Sequence, residues 1–128
     1  MKMYCYEIGV YPRLLWVAIG KKASIIKETF AFSDGSEIED SFDANAVYAI
    51  TTDVAHKKTG KYGVLVWFPD TESMSPNIIT HESVHAAMEI FYMCHCFFTH
   101  DNQEPFAYLT SWIFDKIQET KRKMLKKS

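Results

Sequence analysis

The feature that most constrains the fold is a long stretch without glycine or proline in the second half of the chain. Ser75-Pro76 is a helix start signal, because a serine hydroxyl caps a helix and proline is favoured at the first helical position. No helix-breaking residue follows from residue 77 to about residue 97, so we predict a long helix there. Residues 101–104 resemble a capping box, with Pro105 in the first turn, and predict a second helix to about Leu125.

The first half of the chain is rich in β-branched and aromatic residues, which favour strands. Four runs share this pattern and cover residues 2–10, 14–19, 46–57 and 62–68. The last two flank a short turn with a glycine and predict a β-hairpin. Residues 21–30 have apolar side chains at helical spacing and predict a short helix, whereas the acidic segment 33–43 predicts a loop.

Strands followed by helices are typical of α+β proteins, in which the helices pack on one sheet. We predict an antiparallel or mixed sheet of about four strands with a short helix, followed by two long packed helices. The chain has 128 residues, 48% of them hydrophobic, which suits one domain over residues 1–128 with a single core.

The charge balance excludes a general attraction to nucleic acid or to membrane surfaces. Lys and Arg number 14 against 16 Asp and Glu, for a net charge of −2. No apolar run approaches the ~20 residues of a membrane span. The three cysteines are an odd number and fit a reducing compartment better than a disulfide scaffold. We expect a cytoplasmic protein without nucleic-acid or membrane partners, and the sequence indicates no particular oligomeric state.

Within the predicted long helix, residues 81–85 form the motif H-E-x-x-H. Residues four apart on a helix differ by about 40° in direction and about 6 Å in height, so His81 and His85 lie on one face and can bind one metal ion. Zinc accepts imidazole nitrogens at about 2.0–2.1 Å. Glu82 projects beside that face, where a carboxylate can take a proton from a water on the metal. The alternative is that both histidines are ordinary side chains of an amphipathic helix.

A catalytic zinc site needs a third protein ligand and an open position for water. Glu104 opens the second predicted helix, which would return antiparallel to the first, and it is the favoured third ligand. His100, in the turn between the helices, is the rival. Glu89 shares the face of the histidines but lies about 6 Å further along the helix. The first helix is apolar almost all round, so we expect it to be buried with its polar stripe facing a cavity or an ion.

The motif at residues 81–85, taken together with Glu104, resembles the gluzincin branch of zinc metallopeptidases. The chain also looks like small zincin-like proteins of phage and prophage type. This second similarity is carried by residues 80–87, 104–109, 11–13 and 60–66.

The resemblance implies a complete catalytic site. His81, His85 and Glu104 would bind zinc, and Glu82 would be the general base. Strand 63–68, just before the motif helix, would be the sheet edge along which an extended peptide lies.

Tyr108 stands four residues after the implied third ligand, where gluzincins commonly carry an acid. Its phenol can orient a ligand or stabilise an oxyanion, and it can equally be a half-buried aromatic, so both interpretations stay open. We expect a zinc-dependent metallopeptidase that hydrolyses a peptide or protein substrate. The alternatives are a catalytically inactive zinc-binding interaction module with a zincin-like fold, and a zinc-free interaction scaffold.

Overall fold

The computed structural model describes residues 1–39 and 49–126, which form an α+β fold with helices on both faces of one sheet. The strands are β1 (Lys2–Glu7), β2 (Leu14–Ile19), β3 (Phe30–Phe32), β4 (Ile50–His56) and β5 (Tyr62–Phe68). The helices are α1 (Ala23–Thr29), α2 (Pro76–Met93) and α3 (Gln103–Lys126), and a single 3₁₀ turn at His100–Asn102 leads into α3.

The sheet is mixed and its strand order is β1-β2-β5-β4-β3. β2 and β5 are parallel, and the other neighbours are antiparallel. The predicted hairpin is confirmed as β4–β5. Its predicted first residues, 46–48, lie outside the described residues, as do residues 40–43 of the predicted acidic loop.

Two expectations about the sheet are wrong. It has five strands instead of about four, because the end of the predicted short helix, Phe30, begins the three-residue β3, a run too short to show strand periodicity. Strand 63–68 is not an edge either, since β5 lies at the centre of the sheet between β2 and β4. A peptide therefore cannot add to β5.

The expected single core is instead two cores, because successive strand side chains point to opposite faces of the sheet and both faces are covered. On one face, Leu15 and Val17 of β2 pack with residues of α2 and α3. On the other face, Trp16 and Ala18 pack with Ile26 of α1. The motif helix α2 is thus held on the face that it shares with α3.

Helix α2 begins as predicted and ends early. Ser75 caps it, accepting a hydrogen bond from the Ile78 amide at 3.2 Å. The helix stops at Met93, four residues before the predicted end, in a Schellman motif whose left-handed residue is His95 (φ 56°). The amide of Cys96 closes the motif on a carbonyl of the last turn at 2.8 Å. The end was missed because this position usually holds glycine.

Helix α3 runs back antiparallel to α2. Near its start the ring of Phe106 lies 5.3 Å from that of Phe91, and near its end Lys121 Nζ donates to the Met74 carbonyl at 2.8 Å. The capping box that precedes it pairs Thr99 with Asn102, not residues 101 and 104 as predicted. No helix among the described residues has an apolar stretch long enough to cross a bilayer.

Replacing the cap of α2 tests whether its first turn depends on the Ser75 hydroxyl. We expect Ser75→Ala to lower the free energy of unfolding by about 0.5–2 kcal/mol, since one amide of the first turn loses its acceptor. Ser75→Asp supplies an equivalent acceptor and should stay within about 0.5 kcal/mol of wild type. Urea unfolding followed by circular dichroism measures both. Equal losses in the two variants would show that the hydroxyl is not the cap.

Candidate metal centre

The side chains of the H-E-x-x-H motif on α2 lie in two different environments, one against the sheet and one in solvent. Glu82 is buried, whereas His81 and His85 are exposed. The sheet and α3 cover two sides of α2 and leave the histidine side open, where Val84 and Met88 are also exposed, at 41% and 48%. The expectation that α2 is buried on all sides is therefore wrong, because apolar residues on this side were taken as a sign of burial.

The two histidines are arranged as a pair of metal ligands would be. His81 Nε2 and His85 Nε2 lie 3.1 Å apart, and the ring centroids are 4.7 Å apart with the planes at 73°. Two nitrogens on a tetrahedral zinc, each at about 2.0–2.1 Å, are separated by about 3.3 Å. The pair therefore fits two of the ligands of such an ion.

Glu82 reaches the histidine pair from its buried position on the sheet side of α2. Its Oε2 lies 3.8 Å from His81 Nε2. Its Oε1 accepts a hydrogen bond from Thr51 Oγ1 of β4 at 2.8 Å. The carboxylate is thus adjacent to the place where the two imidazoles converge, as a general base requires.

Two further carboxylates, Glu89 of α2 and Asp53 of β4, interact electrostatically with each other, and Glu89 also interacts with His85. Burial raises the pKa of Glu89, and the nearby Asp53 carboxylate raises it further, while His85 acts in the opposite direction. Asp53 accepts a hydrogen bond from the Ser33 hydroxyl. This side of the site is therefore rich in negative charge.

The structure does not bring a third ligand to the histidines. Glu104 is exposed at the start of α3, two residues before Phe106, whose ring packs on Phe91, about 9 Å beyond His85 along α2. His100 is 94% exposed, with its nearest ionic partner Asp101 at 3.9 Å. Within residues 1–39 and 49–126, no three His, Cys, Asp or Glu side chains gather closely enough to hold a metal ion.

Tyr108 lies away from the histidine pair. It is 71% exposed and lines a groove of about 280 Å³ between α3 and the loop after β1, together with Val10, Tyr11 and Trp112. None of the residues that line this groove belongs to the motif at residues 81–85.

Sequence reasoning missed the contribution of β4. Thr51 contacts Glu82, and Asp53 acts on Glu89. The signal was present in the alternation of the strand, since residues 51 and 53 point to the same face. What the sequence did not show is that α2 covers this face.

Known proteins add no constraint to the site. Comparisons with models of protein families, with curated proteins and with solved structures give no match. The interpretation of the site therefore rests on the residues and geometry described above.

Zinc titration tests the paired imidazoles. We expect His81→Ala and His85→Ala each to weaken zinc binding by more than about 100-fold, because even outer partners of metal ligands are worth about 10–100-fold. Competition with a chromophoric chelator measures the affinity. His56→Ala is the matched control, since His56 lies at the far end of β4 against Trp16 and Phe30, and it should bind zinc like wild type. Unchanged affinity in either motif variant would rule out the pair as ligands.

The raised pKa of Glu89 predicts a pH dependence of stability in zinc-free buffer. In the unfolded chain the Glu89 carboxyl has its usual pKa of 4.5, and the folded protein holds the proton more tightly. The free energy of unfolding therefore falls as the pH rises above 4.5 and through the raised pKa. Glu89→Gln removes this penalty, and its melting temperature should exceed that of wild type by more at pH 7 than at pH 4.

Glu119 provides a control of opposite sign. A hydrogen bond from Lys116 lowers the pKa of the Glu119 carboxyl in the folded protein. The carboxylate therefore stabilises the fold at pH values above its usual pKa, and this stabilisation is lost on acidification. Glu119→Gln should therefore melt below wild type at pH 7, with the difference shrinking towards pH 4. If Glu89→Gln behaves like Glu119→Gln in thermal melts, burial does not disfavour the Glu89 carboxylate.

Proposed function

We propose that this chain is a zinc-dependent hydrolase of peptide bonds, with His81 and His85 as zinc ligands and Glu82 as the general base. The observation that carries the proposal is the convergence of the two Nε2 atoms, 3.1 Å apart, with the Glu82 carboxylate 3.8 Å from one of them. If His81 and His85 were only surface residues of a helix, a buried carboxylate beside them would have no purpose. Here the acid is buried and directed toward the pair.

The chemistry follows from the positions of the three side chains. Bound zinc would supply a Lewis acid that makes water a stronger proton donor and polarises a carbonyl. Glu82 Oε2 accepts the proton of the attacking water, and the same carboxyl then protonates the leaving amine. The imidazoles hold the ion on the open side of α2, where a substrate can approach. A base held in this way typically contributes about 10²–10⁴-fold to the rate.

The resemblance to gluzincins implies Glu104 as the third ligand, with His100 as its rival, although the structure places neither side chain beside the histidines. Glu104 and Tyr108 are one turn apart on α3, so a role of Tyr108 at an oxyanion depends on Glu104 reaching the ion. Zinc titration of Glu104→Gln and His100→Ala separates the two ligands, because only the loss of the true ligand weakens binding.

The proposed substrate, a peptide or protein segment, lies along β4. Within the part of the chain that the structure describes, β3 pairs only with the second half of β4, from Val54 to His56. Ile50 to Asp53 extend past β3 beside α2, and Thr51 in this stretch contacts Glu82. Extended peptides bind proteins by adding a strand to such a stretch. This placement replaces the strand 63–68, which the sheet order excludes.

One observation favours the alternative, a zinc-binding interaction module without activity. The His81 side chain is 68% exposed, so bound zinc would face open solvent. His81, Glu82 and His85 line neither of the two grooves beside α3, although Ser83 of the motif lines one of them. Enzyme active sites usually close off the reacting groups from bulk solvent.

We propose the cytoplasm as the compartment. Cys5, Cys94 and Cys96 are all free thiols in the structure. Thiols persist in reducing compartments.

Replacing the proposed base separates the enzyme from the inactive module. We expect Glu82→Gln to lower the cleavage rate by about 10²–10⁴-fold, because the amide cannot accept the proton, while zinc remains bound. The substrate is the peptide that zinc-loaded wild type cleaves fastest in a library of fluorescence-quenched peptides. Metal content is measured in parallel by atomic absorption.

Glu28→Gln is the matched control for this experiment, because Glu28 is exposed on α1, across the sheet from the site. It should cleave at the wild-type rate. If zinc-loaded wild type cleaves no peptide, or if Glu82→Gln retains full activity, the proposed hydrolase is wrong and the interaction module replaces it.

A further inference from the structure

The two oxygens of the Glu82 carboxylate have different surroundings. Oε1 accepts the hydrogen bond from Thr51 Oγ1 at 2.8 Å, across 31 residues of sequence. Oε2 faces the histidines, 3.8 Å from His81 Nε2. One oxygen is therefore tied to the sheet, and the other is directed at the proposed site.

Thr51 is a stiff anchor for this hydrogen bond. Its β-branched side chain has few allowed rotamers. Its backbone is paired with Val66 of β5, the strand at the centre of the sheet. A glutamate side chain, in contrast, has several rotatable bonds and loses rotamer freedom when it is held in one conformation. β4 thus restrains the Glu82 side chain, which would otherwise sample several rotamers.

We propose that Thr51 is the positioning residue of Glu82, an inference that rests on the proposed hydrolase. Its hydroxyl fixes Oε1 so that Oε2 stays beside the paired imidazoles. Thr51 touches neither zinc nor the reacting atoms in this assignment and acts only through the carboxylate. A base that is aligned before the substrate arrives avoids the cost of ordering it during the reaction.

A merely structural role has different consequences. The same hydrogen bond also satisfies a buried carboxylate, and its loss alone would reduce stability. If that were its whole role, the folded fraction of Thr51→Val would react with unchanged kcat. Loss of positioning instead lowers kcat in the fully folded enzyme, while KM and zinc affinity stay the same.

The experiment compares Thr51→Val, Thr51→Ser and Thr29→Val as zinc-loaded proteins, at a temperature where all are folded. Valine keeps the shape of threonine without the donor, and serine keeps the donor. Thr29→Val is the matched control, because it removes a hydroxyl hydrogen bond of 2.7 Å on the far side of the sheet. We expect kcat of Thr51→Val to fall at least about tenfold, with KM and zinc affinity within about twofold of wild type. Thr51→Ser should recover most of kcat.

Three results would overturn the proposal: kcat of Thr51→Val equal to that of Thr29→Val, a parallel loss of zinc affinity, or no recovery in Thr51→Ser.

A second measurement does not depend on catalysis. In metal-free protein, Thr51→Val should raise the equilibrium constant of unfolding by about tenfold or more with Glu82 present, and by less than about twofold in a Glu82→Ala background. If wild type cleaves no peptide, the hydrolase fails, and this coupling alone decides whether Thr51 holds the carboxylate. Absence of coupling overturns the proposal in either case.

Discussion

The rotation of about 100° between consecutive helical residues, combined with two-sided packing of α2, organises the whole candidate site. The sheet and α3 occupy two sides of the helix, so the direction of each side chain decides its surroundings. Glu82 points under the helix to β4 and is 7% exposed, while the preceding His81 points away to solvent. One turn later His85 returns to the same side as His81. The buried Glu82 and the exposed histidine pair are consequences of a single packing arrangement.

This arrangement makes β4 the strand that shapes the site, although the motif lies entirely on α2. Because successive strand residues alternate, Thr51 and Asp53 both face α2, and Val54 packs in the opposite core with Trp16. Thr51 holds the carboxylate of Glu82. Asp53 adds negative charge near Glu89. A helix that carries its own ligands thus depends on the sheet for orientation and for the local electrostatic field.

Features set by local spacing could be predicted from the sequence, and features set by distant packing could not. The helix start, the hairpin and the convergence of the paired histidines depend on neighbours within a few residues. The contact of Thr51 with Glu82 spans 31 residues and requires the docking of α2 on β4. The same docking decides that the histidine side is exposed. His95 ends the helix in a conformation that glycine usually adopts, so composition did not signal it. Glu104 was expected to join the histidines as a third ligand, but α3 starts near the end of α2, where Phe106 packs on Phe91.

The negative charge on the β4 side has a bearing on which ion the pair would hold. In the metal-free protein, burial and the charge of Asp53 both work against ionised Glu89, as its raised pKa shows. A divalent cation at the imidazole pair reverses the sign of the local field, because it becomes the largest charge in the site. Carboxylates that repel one another without the ion are then each attracted to it. Neutral imidazoles favour zinc and related transition metals, and the adjacent acids add affinity for any dication. In the proposed zinc site, selectivity would therefore come from the histidines, and the attraction of the nearby acids to the ion would add to its affinity.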